Sequence, residues 1–148
     1  MEEIYYLNKN DLPVIPTPHD CVIKEIRLDD QDLVFIFEDD ISVHDAIQYQ
    51  KPGAKSLVMT FHLQSDIYDI SLLQRKGHPF NRIFHKLGVY KEIDIYKKIN
   101  RLTSLTSSSL EYLYHNVGYC SIIVKLWSKD SIILDITADY VELEWIVS

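Results

Sequence analysis

The 148 residues hold only two cysteines, Cys21 and Cys120, and both lie in apolar, strand-like patterns far apart in the chain. A disulfide framework is not expected, and each thiol reads as a small buried hydrophobe. No run approaches the ~18 apolar residues of a membrane-spanning helix, and Met1-Glu2-Glu3 lacks the basic start of a signal peptide. The expectation is a cytoplasmic protein that does not engage a membrane. Basic residues are scarce relative to acids, 15 Lys and Arg against 22 Asp and Glu, for a formal net charge of −7. That balance repels phosphate backbones, which argues against nucleic acid and for a basic partner. Also absent are the glycine-rich phosphate loops, paired-histidine zinc motifs, CxxC pairs, nucleophile elbows and calcium loops in which a few residues carry a mechanism. The sequence therefore assigns no catalytic residue and no cofactor.

The pattern that is present is that of a β-rich chain. Leu110 to Ile146 reads as four antiparallel strands joined by short turns. In Cys120–Trp127, Cys120, Ile122, Val124 and Leu126 share one face, while Tyr119, Ser121, Ile123, Lys125 and Trp127 share the other. Ser128-Lys129-Asp130-Ser131 is a turn into Ile132–Ile136. After a second turn at Thr137-Ala138-Asp139, Tyr140–Val147 places Val141, Leu143, Trp145 and Val147 opposite Glu142 and Glu144. Leu110–His115 reads as the first strand, although Ser108 and Glu111 also fit a helix capping box. Tyr112 and Tyr114 fall in register with Leu110, and Asn116-Val117-Gly118 supplies a turn.

Upstream, residues 1–18 combine the apolar cluster Ile4-Tyr5-Tyr6-Leu7 with Pro13, Pro16 and Pro18, which fits an extended surface arm. Residues 19–76 read as two hairpins. The first pairs Val22, Ile26 and Leu28 with Leu33–Phe37 around an Asp29–Asp32 turn, and the second pairs Leu57–Leu63 with Ile67–Gln74. Glu38–Ser56 between them reads as a loop with some edge-strand character. From 77 to 105 the period becomes helical. Phe80, Ile83, Phe84 and Leu87 suit one short helix ending at Gly88, and Asp94 caps a second with Ile95, Ile99 and Leu102 inside and Lys97, Lys98 and Arg101 outside. The whole is expected to be one α+β domain with about eight strands, mainly antiparallel sheet in a sandwich-like or half-barrel arrangement, and one or two helices packed on it.

The residues open to a chemical role are dispersed. His19 and Cys21 have ligand-like spacing on a strand, Asp20 can orient the imidazole, and His44, His62 or His115 would have to complete a metal site. This supports, as an alternative, a small metal-dependent hydrolase. The plainer reading is that His19 and Asp20 satisfy backbone amides at the turn where the proline-rich arm enters the sheet. His44-Asp45 resembles a base and its orienting acid, but reads more plainly as an exposed polar turn. The acids fall in three clusters: Asp29, Asp30 and Asp32; Glu38, Asp39 and Asp40; Asp139, Glu142 and Glu144. Singly each is a solvated turn or face, and together they form a surface suited to a basic protein, with Tyr49, Tyr68, Tyr112 and Tyr114 as anchors if they do not serve the plainer role of sheet packing. A further alternative is a structural subunit in which the mixed face of Cys120–Trp127 is covered by a second copy.

His19-Asp20-Cys21-Val22-Ile23-Lys24-Glu25-Ile26, followed by a hairpin, resembles the HDxxIxxI opening of small bacterial proteins, some of them similar to immunity proteins of polymorphic toxin systems. Glu92-Ile93-Asp94-Ile95 through Leu113-Tyr114-His115-Asn116-Val117-Gly118-Tyr119 is similar to the helix and strand order of such families. The resemblance implies binding and neutralisation of a cognate toxin, and it carries over no catalytic residue.

Overall fold

The structure is a computed structural model that describes residues 1–75, 90–92 and 95–147. Among the described residues nine strands form one sheet: β1 Glu2–Tyr6, β2 Val22–Asp29, β3 Asp32–Phe37, β4 Ala54–Leu63, β5 Ile70–Arg75, β6 Tyr90–Glu92, β7 Leu110–Gly118, β8 Ser121–Ser128 and β9 Asp130–Val147. Among the described residues two α-helices accompany them, α1 Asp45–Gln50 and α2 Ile95–Leu105. The chain is thus α+β and mainly antiparallel, as its alternation dictates. The predicted helix over 77–88, with His78 and His85, and the cap at Asp94 lie outside the described residues.

β9 organises the sheet, because its 18 residues run past four partners. Its first half pairs with β8 and β5, and its second half pairs with β4 and β1. The β4–β9 pairing joins the two ends of the path β4-β3-β2-β7-β8-β9, so those six strands form a ring. Inside it, Leu33, Phe35, Leu57, Met59, Phe61, Val124, Leu134, Val141, Leu143 and Trp145 are buried. Phe35 and Phe61 meet edge to face at 5.1 Å and 69°. Each buried side chain of this size contributes about 1.5–3 kcal/mol of transfer free energy, and the aromatic pair adds about 1 kcal/mol. The ring is thinnest between β2 and β7, which pair only at Val22 and Ile23. There α2 brings Leu102 over Ile26, Leu28 and Leu33, so helix replaces ladder.

Several sequence expectations are corrected by bulges. Thr137-Ala138-Asp139 is not a turn; β9 runs through it, and Asp139 is an extra residue between the pairs Leu63↔Ala138 and His62↔Tyr140. The bulge lets Ala138 and Val141 both point inward despite their odd spacing. Four anticipated C-terminal strands are therefore three. A bulge between Ile23 and Glu25 turns Ile23, not Val22, into the core alongside Ile26. Another between Tyr112 and Tyr114 buries Tyr112 and exposes Tyr114, breaking their expected register.

The remaining corrections concern connections. β4 and β5 do not pair as a hairpin; both lie along β9, separated by a single 3₁₀ turn at Ile67–Asp69 in which Asp66 and Asp69 cap each other's backbone. Residues 2–6 of the anticipated arm are a strand, and Glu38–Ser56 contains α1. Asn116-Val117-Gly118 remains in β7, and the turn falls at Tyr119-Cys120, with Cys120 at a φ of 51° rather than on the Ile122 face. The hairpins at Asp30-Gln31 and Lys129 form where expected, with Asp30 and Lys129 at positive φ.

Candidate interaction face

The antiparallel registers align the outward side chains of five strands into rows. Tyr6 (β1), Tyr140 (β9), His62 (β4), Asp32 (β3) and Asp29 (β2) form the first. Ile4, Glu142, Thr60, Val34 and Arg27 form the second, and Glu2, Glu144, Val58, Ile36 and Glu25 the third. Two of the three predicted acidic clusters, separated by more than a hundred residues in sequence, thus meet on one pleated surface. Asp30 lies in the turn beside Asp29 and Asp32.

The chemistry of this surface is a stack of rings set among carboxylates. The Tyr140 and His62 rings are parallel at 4.5 Å and 9°, and Tyr6 tilts onto Tyr140 at 5.8 Å. His62 Nδ1 lies 2.8 Å from Asp32 Oδ1, within hydrogen-bond distance. Glu2 faces Glu144 directly across β1 and β9, and like charges so placed repel. Burial raises the Glu142 carboxyl above its ordinary value, and Glu2, Glu144 and Asp32 raise it further. Burial likewise raises the Tyr140 hydroxyl, with Asp32, Glu142, Tyr6 and Asp139 adding to it. Arg27 answers Asp29 at 3.4 Å and Glu25 at 4.0 Å on the β2 margin. Glu2, Glu142 and Glu144 have no cation within ion-pair distance among the described residues.

The third acidic cluster is elsewhere and is used internally. At the far end of β3, Glu38 accepts the Val22 amide and sits 3.2 Å from His44 Nε2, while Asp39 pairs with Lys24. Asp40 accepts the Ser42 amide at 2.9 Å and its hydroxyl, which hold the Asp40 carboxyl below its ordinary value. Asp139, in the β9 bulge, accepts from Gln64 Nε2 at 3.2 Å and leaves its backbone oxygen to Leu7. Among the described residues the His44 ring pairs with Glu38 and not with Asp45.

His19 and Cys21 do not share a side. Asp20 takes a φ of 68°, which reverses the chain before β2 begins. His19 is exposed and donates through Nδ1 to the carbonyl of Leu113 at 2.6 Å, a backbone contact made to a carbonyl rather than to the expected amides. Cys21 is fully buried, and burial, followed by Glu38 and Asp20, pushes its thiol up to about 12. His62 belongs to the Asp32 pair. His115 is half-buried on β7, its Nδ1 2.6 Å from the Tyr112 hydroxyl and its Nε2 3.0 Å from the carbonyl of Ile15. No three His, Cys, Asp or Glu side chains among the described residues gather as a metal site.

Of the predicted tyrosine anchors, Tyr112 is core, Tyr49 and Tyr68 stand exposed away from the rows, and Tyr114 lies on the β7–β8 face with Lys125 5.6 Å above its ring. The rings of the acidic surface are instead Tyr6 and Tyr140, with Ile4 and Glu2 as neighbours. The alternation Glu2-Ile4-Tyr6 was the available signal for a second strand there. No helix among the described residues is long and apolar enough to cross a membrane. Compared with protein-family models, curated proteins and solved structures, the chain shows no significant match.

Proposed function

We propose that the chain is a non-enzymatic protein-binding module whose acidic outer face, from β1 across β9 and β4 to β3, meets a basic partner. The observation that carries this reading is the crowding of Glu2, Glu142 and Glu144 on one ordered face, with no cation among the described residues at ion-pair distance from them. Such crowding weighs against folding, and a cationic partner reverses it on binding; matched charge also speeds encounter. Neutralisation of a basic toxin is the specific instance supported by the HDxxIxxI resemblance.

The test is capture of partners from the native host by the tagged chain. Replacing Glu2, Glu142 and Glu144 together with Lys should abolish capture of a basic protein, whereas Asp39→Lys with Asp40→Lys at the distal cluster should leave it intact. Equal capture by both variants would refute the reading. A second reading, pairing of two copies through the outer face of β7 and β8, is favoured by the exposure of Tyr114, Ile123 and Trp127. Light scattering that gives a monomer at high concentration would remove it.

A further inference from the structure

Among the described residues, β1 has one paired edge and one open edge. Trp145 donates its amide to the carbonyl of Met1 at 2.8 Å, and Leu7 donates to Asp139 at 2.8 Å. Between these two points the antiparallel ladder alternates, so Glu3 and Tyr5 direct their backbone groups to β9 while Ile4 and Tyr6 direct theirs away from it. Those outward amides and carbonyls find no hydrogen-bond partner among the described residues. Ile4 and Tyr6 also keep 48% and 43% of their surface exposed. The ring removes free edges from its own strands, but β1 stands outside it and carries no proline or bulge to blunt its edge.

We propose that this edge receives an extended, Lys- or Arg-bearing segment of the partner as an added strand, a proposal that rests on the acidic-face reading above. The added backbone would take the free hydrogen bonds of Ile4 and Tyr6, and its alternate side chains would extend the three rows. One of those positions lies directly beside Glu2. Another lies two strand spacings, about 10 Å, from Glu142, a span that a long basic side chain and a glutamate cover together. The Tyr6 ring at this edge already attracts a cation, though none among the described residues reaches Glu2, Glu142 or Glu144: Lys9 Nζ sits 4.6 Å from the ring centroid. A second copy fits less well than a basic segment, because β1–β1 pairing would set two faces bearing Glu2, Glu142 and Glu144 edge to edge.

The probe is a peptide alternating lysine with valine, long enough to cover the five residues of β1. It is compared with versions N-methylated at alternate residues in either register, which keep the charge and remove the donors. Binding should protect the Ile4 and Tyr6 amides from hydrogen exchange, and one N-methylated register should weaken it about tenfold or more. Ile4→Pro, which removes only an outward amide, should do the same. If Ile4→Pro fails to fold, the N-methylated peptides decide alone. Equal affinity for all peptides, with binding still abolished by Glu142→Lys and Glu144→Lys, overturns strand addition and leaves the acidic face standing. Binding indifferent to charge reversal overturns both. A dimer with Ile4 and Tyr6 protected in the absence of peptide gives the edge to a second copy and overturns the proposal.

Discussion

Glu142→Gln should stabilise the protein at neutral pH. In the fold the Glu142 carboxyl titrates above its ordinary value of 4.5, first through burial and then through Glu2, Glu144 and Asp32. A group raised in this way contributes stability that is complete below its unfolded value and is lost as pH rises through its folded value. At neutral pH the charged form therefore opposes folding. Each like-charge neighbour on a solvated sheet face is worth roughly 0.2–0.5 kcal/mol after screening, so removing one charge from among three gains about 0.5–1 kcal/mol. For a chain of this length that corresponds to about 1–3 °C in Tm. Urea unfolding measures it directly. The midpoint of the variant should exceed that of the parent at pH 7 and low salt, and the difference should shrink toward pH 4 and in high salt. A variant no more stable than its parent at pH 7, or one equally stabilised under every condition, would show that the face is not electrostatically crowded.

Phe61→Ala removes the ring that packs on Phe35 at the β4–β9 closure and should lower stability by about 3–5 kcal/mol, read from the urea midpoint. His115 has its imidazole lowered by burial, against a smaller opposing effect of the Ile15 carbonyl, so the stability it contributes is present above 6.5 and is lost as pH falls through its folded value. His115→Gln should therefore flatten the decline as pH falls below 6.5 in a pH series of unfolding midpoints. Cys21, buried with its thiol pushed up to about 12, should resist a thiol-labelling reagent until the protein unfolds, whereas Cys120 in the β7–β8 turn should label in the native state. Labelling of Cys21 at the same rate as Cys120 in native protein would contradict the buried position.

Strand identity was legible wherever the period of two was uninterrupted. Leu57–Leu63 and Tyr140–Trp145 have the faces that simple alternation assigns, because a half-buried strand has little freedom to do otherwise. The misreadings fall where an extra residue shifts that parity. Thr137-Ala138-Asp139 has a turn-like composition, yet the alignment of β4 and β5 along one edge of β9 holds it extended, a constraint visible only in three dimensions. Helix α1 is short and lacks a side-chain cap, so Asp45–Gln50 carries no local start signal. The acidic face was half legible. Glu142 and Glu144 declare themselves by alternation, and Asp29 and Asp32 by their hairpin. Their union depends on β3, β4 and β9 lying side by side, and the separation of Glu38, Asp39 and Asp40 depends on the length of β3. Likewise, the His19–Cys21 spacing fails as a ligand pair because Asp20 enters the left-handed region, which no spacing rule anticipates.

Backbone amide shifts recorded while the basic partner, or the lysine–valine peptide in its place, is titrated into the labelled protein test the binding face most directly. The account predicts that the perturbed residues cluster at Glu2–Tyr6, Thr60–His62 and Tyr140–Glu144. Shifts centred on Glu38–Ser42, or scattered over every acidic residue alike, would contradict it.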